Sequence, residues 1–112
     1  MLKIVINDLD LNDFIDFVYY ELQYKNIDEK ALELLYWYLV EIYPEGVSNT
    51  LLSNIIRFDF NIMDFEEFKN NYEYDGITFN CNDDIEDYIT HYTSLYGSYE
   101  VDGVLYYVFG EL

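Results

Sequence analysis

The sequence predicts an α+β fold: a single domain over residues 1–112, with a helical body of four to five helices and a small antiparallel sheet including a C-terminal β-hairpin. Three observations carry this expectation. Apolar residues recur at helical spacing from Phe14 to Tyr92. Asp102-Gly103 then stands between two apolar runs, the pattern of a two-residue type I′ turn. Finally, 52% of the residues are hydrophobic and 21% aromatic, with one Pro and five Gly, so the chain can bury a core.

Each element has its own signal. Leu2 to Ile6 alternates as a short strand with Leu2, Ile4 and Ile6 on one face. Asn12 is the expected cap of a first helix, about Asp13 to Tyr24, with Phe14, Phe17, Val18 and Leu22 inward and Asp13 and Asp16 outward. Asp28 caps a second, about Glu29 to Tyr43, stopped by Pro44 and Gly46. That helix is apolar almost all round and is expected to be central. Its polar side carries Glu29, Glu33 and Glu41 with Trp37 between them. Ser48 or Asn49 starts a third helix through Leu51, Leu52, Ile55 and Ile56. Asp64 followed by Glu67 is a capping-box spacing for a fourth, about Phe65 to Tyr72, with Phe65, Phe68 and Tyr72 inward. Asn82 or Asp83 starts a fifth, with Ile85, Tyr88, Ile89 and Tyr92 on its apolar face. The chain closes in the hairpin of Tyr99 to Phe109, which the N-terminal strand is a candidate to join. Tyr72-Glu-Tyr-Asp-Gly-Ile echoes Tyr99-Glu-Val-Asp-Gly-Val, so Asp75-Gly76 marks either a simple turn or a second hairpin running into Ile77 to Phe79.

Charge is the dominant functional signal. The formal net charge is −18 at pH 7, from 23 acids against five Lys and Arg. From Asn70 to Leu112 there are nine acids (Glu73, Asp75, Asp83, Asp84, Glu86, Asp87, Glu100, Asp102 and Glu111) and no Lys or Arg. Self-repulsion of this size opposes compaction, and it exceeds the net charge of about 2 to 8 that keeps a small domain soluble. Disordered acidic chains are poor in aromatics; this one has 14 Tyr and eight Phe. The chain is therefore a folded, strongly anionic object whose expected partner is basic.

Several classes are excluded on the same grounds. No apolar run approaches the ~18 residues that span a bilayer, and the start lacks the apolar core and cleavage site of a secretory signal. A cytoplasmic location is expected. Direct binding to nucleic acid or an anionic membrane would require Lys and Arg. Cys81 is alone, which leaves no disulfide framework or thiolate metal site. With one His and one Cys, little is available for nucleophile, base and oxyanion roles, so no catalytic residue and no cofactor are assigned. His91 reads as a polar-face residue of the fifth helix and Cys81 as a small core or loop residue. Asn80, Asn82, Asp84 and Glu86 alternate like calcium-loop ligands, but Ile85 stands where the loop glycine belongs and His91 where the closing Glu belongs, so no metal is assigned either.

The expected partner-binding residues are therefore acids and an aromatic. Asp83, Asp84, Glu86 and Asp87 form the centre of the C-terminal acidic region, with Asp75 and Asp102 at turns. Glu33, Trp37 and Glu41 make a second patch, since rigid aromatics beside acids are hot-spot material, although Trp37 reads equally well as a half-buried core residue. Acids in the first turn of a helix also oppose its dipole, so part of the first cluster supports the helix itself. Most tyrosines belong to apolar faces, among them Tyr36, Tyr43, Tyr72, Tyr88 and Tyr92. A minority must be exposed, because 14 phenols cannot all find buried partners in so small a chain.

In size, charge, tyrosine-rich composition and acid-rich helices, the chain resembles the small acidic DNA-mimic proteins that phages and mobile elements use against host defence, the anti-CRISPR and anti-restriction class. The resemblance spans the whole chain and implies an inhibitor in the host cytoplasm. Such an inhibitor occupies the nucleic-acid groove of a CRISPR effector nuclease or restriction enzyme. The alternative is an immunity protein that neutralises a basic nuclease toxin, a class that is also small, acidic and folded.

Overall fold

The computed structural model describes residues 9–74 and 76–112, together with the backbone of residues 3–4. The fold is α+β, and the chain divides into two compact units, Met1–Phe58 and Asp59–Leu112.

The first unit runs β1 (Lys3–Ile4), α1 (Leu11–Asp16), α2 (Glu29–Ile42), β2 (Val47–Ser48) and α3 (Asn49–Phe58). Asp10, not Asn12, caps α1, its carboxylate accepting the Asp13 N–H at 2.8 Å. The helix also does not run on to Tyr24. After Asp16 it widens into a π-helical turn, Phe17–Glu21, where the Leu22 N–H reaches the Phe17 carbonyl at 3.1 Å. Gln23 then takes a left-handed φ of 64° and ends it. A bond spanning five residues shifts the phase of the helix, so a 3.6-residue reading of the pattern overruns.

Asp28 caps α2 through the Lys30 N–H at 2.8 Å. Ala31, Leu32, Leu35, Tyr36 and Leu39 form its buried stripe. Phe14, Ile15 and Val18 of the first helical segment, which packs against α2, are buried too, as are Val47, Leu52, Ile55 and Ile56 of this unit. Buried Tyr36 and half-buried Tyr19 find backbone partners: Tyr36 Oη donates to the Leu9 carbonyl and Tyr19 Oη to that of Ile27, both at 2.6 Å. Ser48 Oγ accepts the Leu51 N–H at 3.0 Å at the start of α3.

The N-terminal strand does not join the C-terminal hairpin. Lys3 and Ile4 pair antiparallel with Ser48 and Val47, while Leu2, Val5 and Ile6 lie outside the described residues. The second unit builds its sheet from its own chain: β3 (Asn61–Asp64), β4 (Leu95–Val101) and β5 (Val104–Phe109), in the order β3-β5-β4 with α4 (Phe65–Tyr72) and α5 (Asn82–Tyr92). β3 occupies the other side of β5, with Asn61 opposite Phe109 and Asp64 opposite Tyr106. Asn61 Nδ2 donates to the Gly110 carbonyl at 3.1 Å, fixing that register.

The hairpin turn is type I′, with φ of 53° at Asp102 and 82° at Gly103. A bulge between Leu95 and Gly97 releases Tyr96 from the ladder, and its hydroxyl donates to the Asp59 carbonyl at 2.8 Å. Near the second Asp-Gly pair, whose Asp75 lies outside the described residues, the Ile77 N–H bonds the Tyr74 carbonyl at 2.8 Å in a single bridge, with no further hairpin pairing among the described residues.

The core of the second unit is aromatic. Phe68 is fully buried, with Tyr72, Phe79, Phe109 and Tyr88 centred 4.6, 5.2, 5.5 and 6.0 Å from it. Ile85 and Ile89 of α5 and Tyr107 of β5 close it. Edge-on ring pairs of this kind add about 0.5–1.5 kcal/mol each beyond their area.

Candidate functional site: an acidic and aromatic face on the second unit

The fifth helix carries the predicted cluster and divides it by role. Cys81 stands at the N-cap and supplies no side-chain bond. Asp84 Oδ2 reaches back to accept the Asn80 N–H at 2.8 Å, tying the residue before the cap to the first turn of the helix. Asp84 is therefore a helix-start residue first. Asp83 and Asp87 are exposed, and neither carboxylate accepts a hydrogen bond among the described residues. Glu86 is half-buried on the side of Tyr107. Tyr107 Oη donates to Asn82 Oδ1, tying β5 to the start of α5. Burial, then the negative charge of Glu86, the Cys81 sulfur and Asp83, pushes the Tyr107 phenol up to about 12. Of the four alternating residues, Asn82 and Asp84 are thus each engaged in a local hydrogen bond. Among the described residues no group of three or more His, Cys, Asp or Glu is arranged to hold a metal.

Other acids are also structural. Asp10, Asp28 and Asp64 cap helices. Glu73 accepts the Phe79 N–H at 2.9 Å, holding the connection into α5. Asp59 Oδ1 accepts the Glu111 N–H at 2.6 Å and anchors the C-terminal segment. These bonds mark which carboxylates the fold consumes and leave Asp83 and Asp87 as the outward pair of the helix.

Beside them lies a groove of about 600 Å³, between residues 76–80 and α5, lined by Asp84, Asp87, Tyr88, His91 and Tyr92. Here the sequence expectation is corrected. Tyr92 does not face the core; it is 63% exposed, because α5 ends there and its apolar stripe runs past the aromatic cluster. Tyr92 packs on half-buried Tyr88, ring centroids 4.8 Å apart, and His91 lies edge-on to Tyr92 at 4.6 Å. Tyr74 is 60% exposed. Desolvation is the main cause that raises the Tyr88 phenol, followed by its hydrogen bond to Tyr74. The groove was missed in the sequence; the signal available was the i, i+4 pair Tyr88–Tyr92 at the end of a helix followed by Thr93-Ser94.

Asp102 is exposed at the hairpin turn. Its neighbour Gly103 shares a second cleft, about 400 Å³, with Asp64, Glu66 and Asn82 at the starts of α4 and α5. The turn thus approaches the acidic helix start. Lys69, the one Lys or Arg of this unit, stands over the Phe65 ring at 5.5 Å. Asp75 lies outside the described residues.

In the first unit, Glu33, Trp37 and Glu41 all lie on the exposed face of α2, at positions four apart. Trp37 is 57% exposed and meets Tyr36 edge-on at 5.0 Å, so it stands on the core instead of entering it.

The chain matches no family model, no curated protein and no solved structure. Among the described residues, no helix is long and apolar enough to cross a membrane.

Proposed function

We propose that this protein is an acidic inhibitor that occupies the basic nucleic-acid-binding groove of a host-defence nuclease, a CRISPR effector or restriction enzyme, and blocks DNA by mimicry. The observation that carries the reading is the outward pair Asp83 and Asp87. The fold consumes neither carboxylate, and they sit on a unit with a single Lys, itself placed over a ring. Four residues of α-helix rise ~6 Å, the same order of spacing as the one charge per ~3.4 Å of axis on a DNA strand. A Lys- and Arg-rich groove gains from such a surface by steering and by charge complementarity.

A second reading, an immunity protein against a basic nuclease toxin, is favoured by one observation. Exposed Tyr92, Tyr74 and Trp37 stand beside the acids, and large aromatics anchor tight interfaces in ways that phosphates do not.

Both readings are tested by pull-down and DNA displacement with CRISPR effectors, with and without guide RNA, and with restriction enzymes and nuclease toxins. The mimic predicts binding to the assembled groove, displacement of DNA, and affinity that falls steeply between about 50 and 200 mM salt. Binding that is flat in salt and leaves DNA in place would refute mimicry. Tight capture of a toxin with its DNA site open would favour immunity.

A further inference from the structure

We infer that the groove between residues 76–80 and α5 is a receptor for an arginine side chain presented by a basic protein partner. The inference rests on the reading proposed above and specifies how one part of the surface engages.

The groove's volume, about 600 Å³, falls in the range of roughly 300–1,000 Å³ typical of ligand sites. It has two kinds of wall. The Tyr88 and Tyr92 rings, 4.8 Å apart, offer an aromatic surface of which Tyr92 is 63% exposed. Asp87 offers a carboxylate without a hydrogen-bond donor among the described residues, and Asp84 has one oxygen bonded to the Asn80 N–H and the other unclaimed. A flat aromatic face beside an unpaired carboxylate matches one side chain best. The guanidinium group is planar, stacks on rings and donates two parallel N–H bonds to a carboxylate. A lysine ammonium is a compact, strongly hydrated point charge and satisfies only the electrostatic part. An anionic ligand is opposed by Asp84 and Asp87. An uncharged apolar ligand would leave both carboxylates against it, desolvated without a partner. Charge complementarity therefore selects a cation, and the rings select arginine.

The probe is a short labelled peptide of alternating Arg and Gly, compared with its Lys-and-Gly twin, titrated into the full-length protein at low salt. Binding is read by fluorescence anisotropy and by amide chemical shifts of the isotope-labelled protein. The Arg peptide is expected to bind about tenfold more tightly than the Lys peptide, with the largest shifts at Gly76 to Asn80 and Asp84 to Tyr92. Tyr92→Leu and Asp87→Asn should each remove about tenfold of the Arg affinity. Tyr92→Leu should also erase the preference over Lys. Asp16→Asn, an equal change of charge at an exposed position of α1, should alter binding less than about twofold. Circular dichroism of each variant establishes that it is folded.

Equal binding of the two peptides, or shifts centred away from the groove, would overturn the inference, since a diffuse negative field would then suffice. Failure of the functional reading looks different. DNA displacement by a protein that shows no arginine preference would sink the groove assignment alone. Arginine preference at the groove without DNA displacement would uphold the receptor and remove the mimic.

Discussion

Asp84 and Asp87 lie one turn apart on α5, and the structure gives them opposite effects on stability. Asp84 holds the Asn80 N–H at 2.8 Å at a helix start whose N-cap, Cys81, contributes no side-chain bond. Asp84→Ala removes that bond and a negative charge near the positive end of the helix. Loss of one such hydrogen bond costs about 0.5–1.5 kcal/mol, and the lost dipole interaction adds about 0.3–1 kcal/mol. Relief of the Asp84–Asp87 repulsion returns about 0.2–0.5 kcal/mol, so the expected loss is about 0.5–2 kcal/mol. Asp87 lies beyond the first turn, where the dipole has faded, and its carboxylate accepts no hydrogen bond among the described residues. It stands four residues after Asp83 and three after Asp84. Each like-charge pair at this spacing costs about 0.2–0.5 kcal/mol, so Asp87→Asn should raise stability by about 0.4–1 kcal/mol at low salt. At about 1 M salt the screening length is ~3 Å. The Asp87→Asn gain should then vanish, while the hydrogen-bond part of the Asp84→Ala loss persists. Urea unfolding followed by far-UV circular dichroism, at low and high salt, measures both. If Asp87→Asn destabilises the protein, or its gain survives 1 M salt, the division of this cluster into structural and outward acids is wrong.

Three further outcomes are expected. Gly110→Ala would place its Cβ 2.7 Å from both Asp59 Oδ1 and Thr93 Oγ1, and Asp59 is already held by the Glu111 N–H. The cost should be about 1–3 kcal/mol by denaturant unfolding. Tyr107 is buried and its phenol is raised from 10.0 to about 12, so the folded state keeps its proton longer than the unfolded chain does. Stability should hold below pH 10 and fall between pH 10 and about 12. Tyr107→Phe should flatten that fall, at a cost near neutrality of about 1 kcal/mol for the lost bond to Asn82. Asp102 has a φ of 53°, which Asn tolerates and Ala does not. Asp102→Asn should leave the melting temperature unchanged and weaken partner binding, whereas Asp102→Ala should cost about 1–2 kcal/mol of stability.

Local signals were enough for many elements. Asp28, Ser48 and Asp64 cap helices where their spacing placed them, because a cap is a bond between residues two or three apart. Asp102-Gly103 forms the hairpin turn because the two residues alone satisfy its positive φ values. The acid bias of the C-terminal region and the outward face of Glu33 and Glu41 were equally legible, since charge and helical phase are properties of the chain itself, whereas Trp37 read equally well as half-buried core and only the structure places it 57% exposed.

What the tertiary structure decided is of another kind. β3 was not foreseen, since Asn61–Asp64 is a strand by virtue of its pairing with β5, 42 or more positions away in the chain, and not by its own alternation. The pairing of Lys3 and Ile4 with Val47 and Ser48 is likewise a long-range choice between available edges. The π-helical turn, in which Val18 is fully buried, is also not encoded in a 3.6-residue periodicity. The largest difference concerns the acids. In the sequence they form one uniform field of charge. Only folding brings the N–H groups of Asn80, Phe79 and Glu111 within reach of Asp84, Glu73 and Asp59, and so separates the carboxylates that hold the fold from those that face outward. Composition sets the total charge, but the allocation of each charge is a matter of geometry.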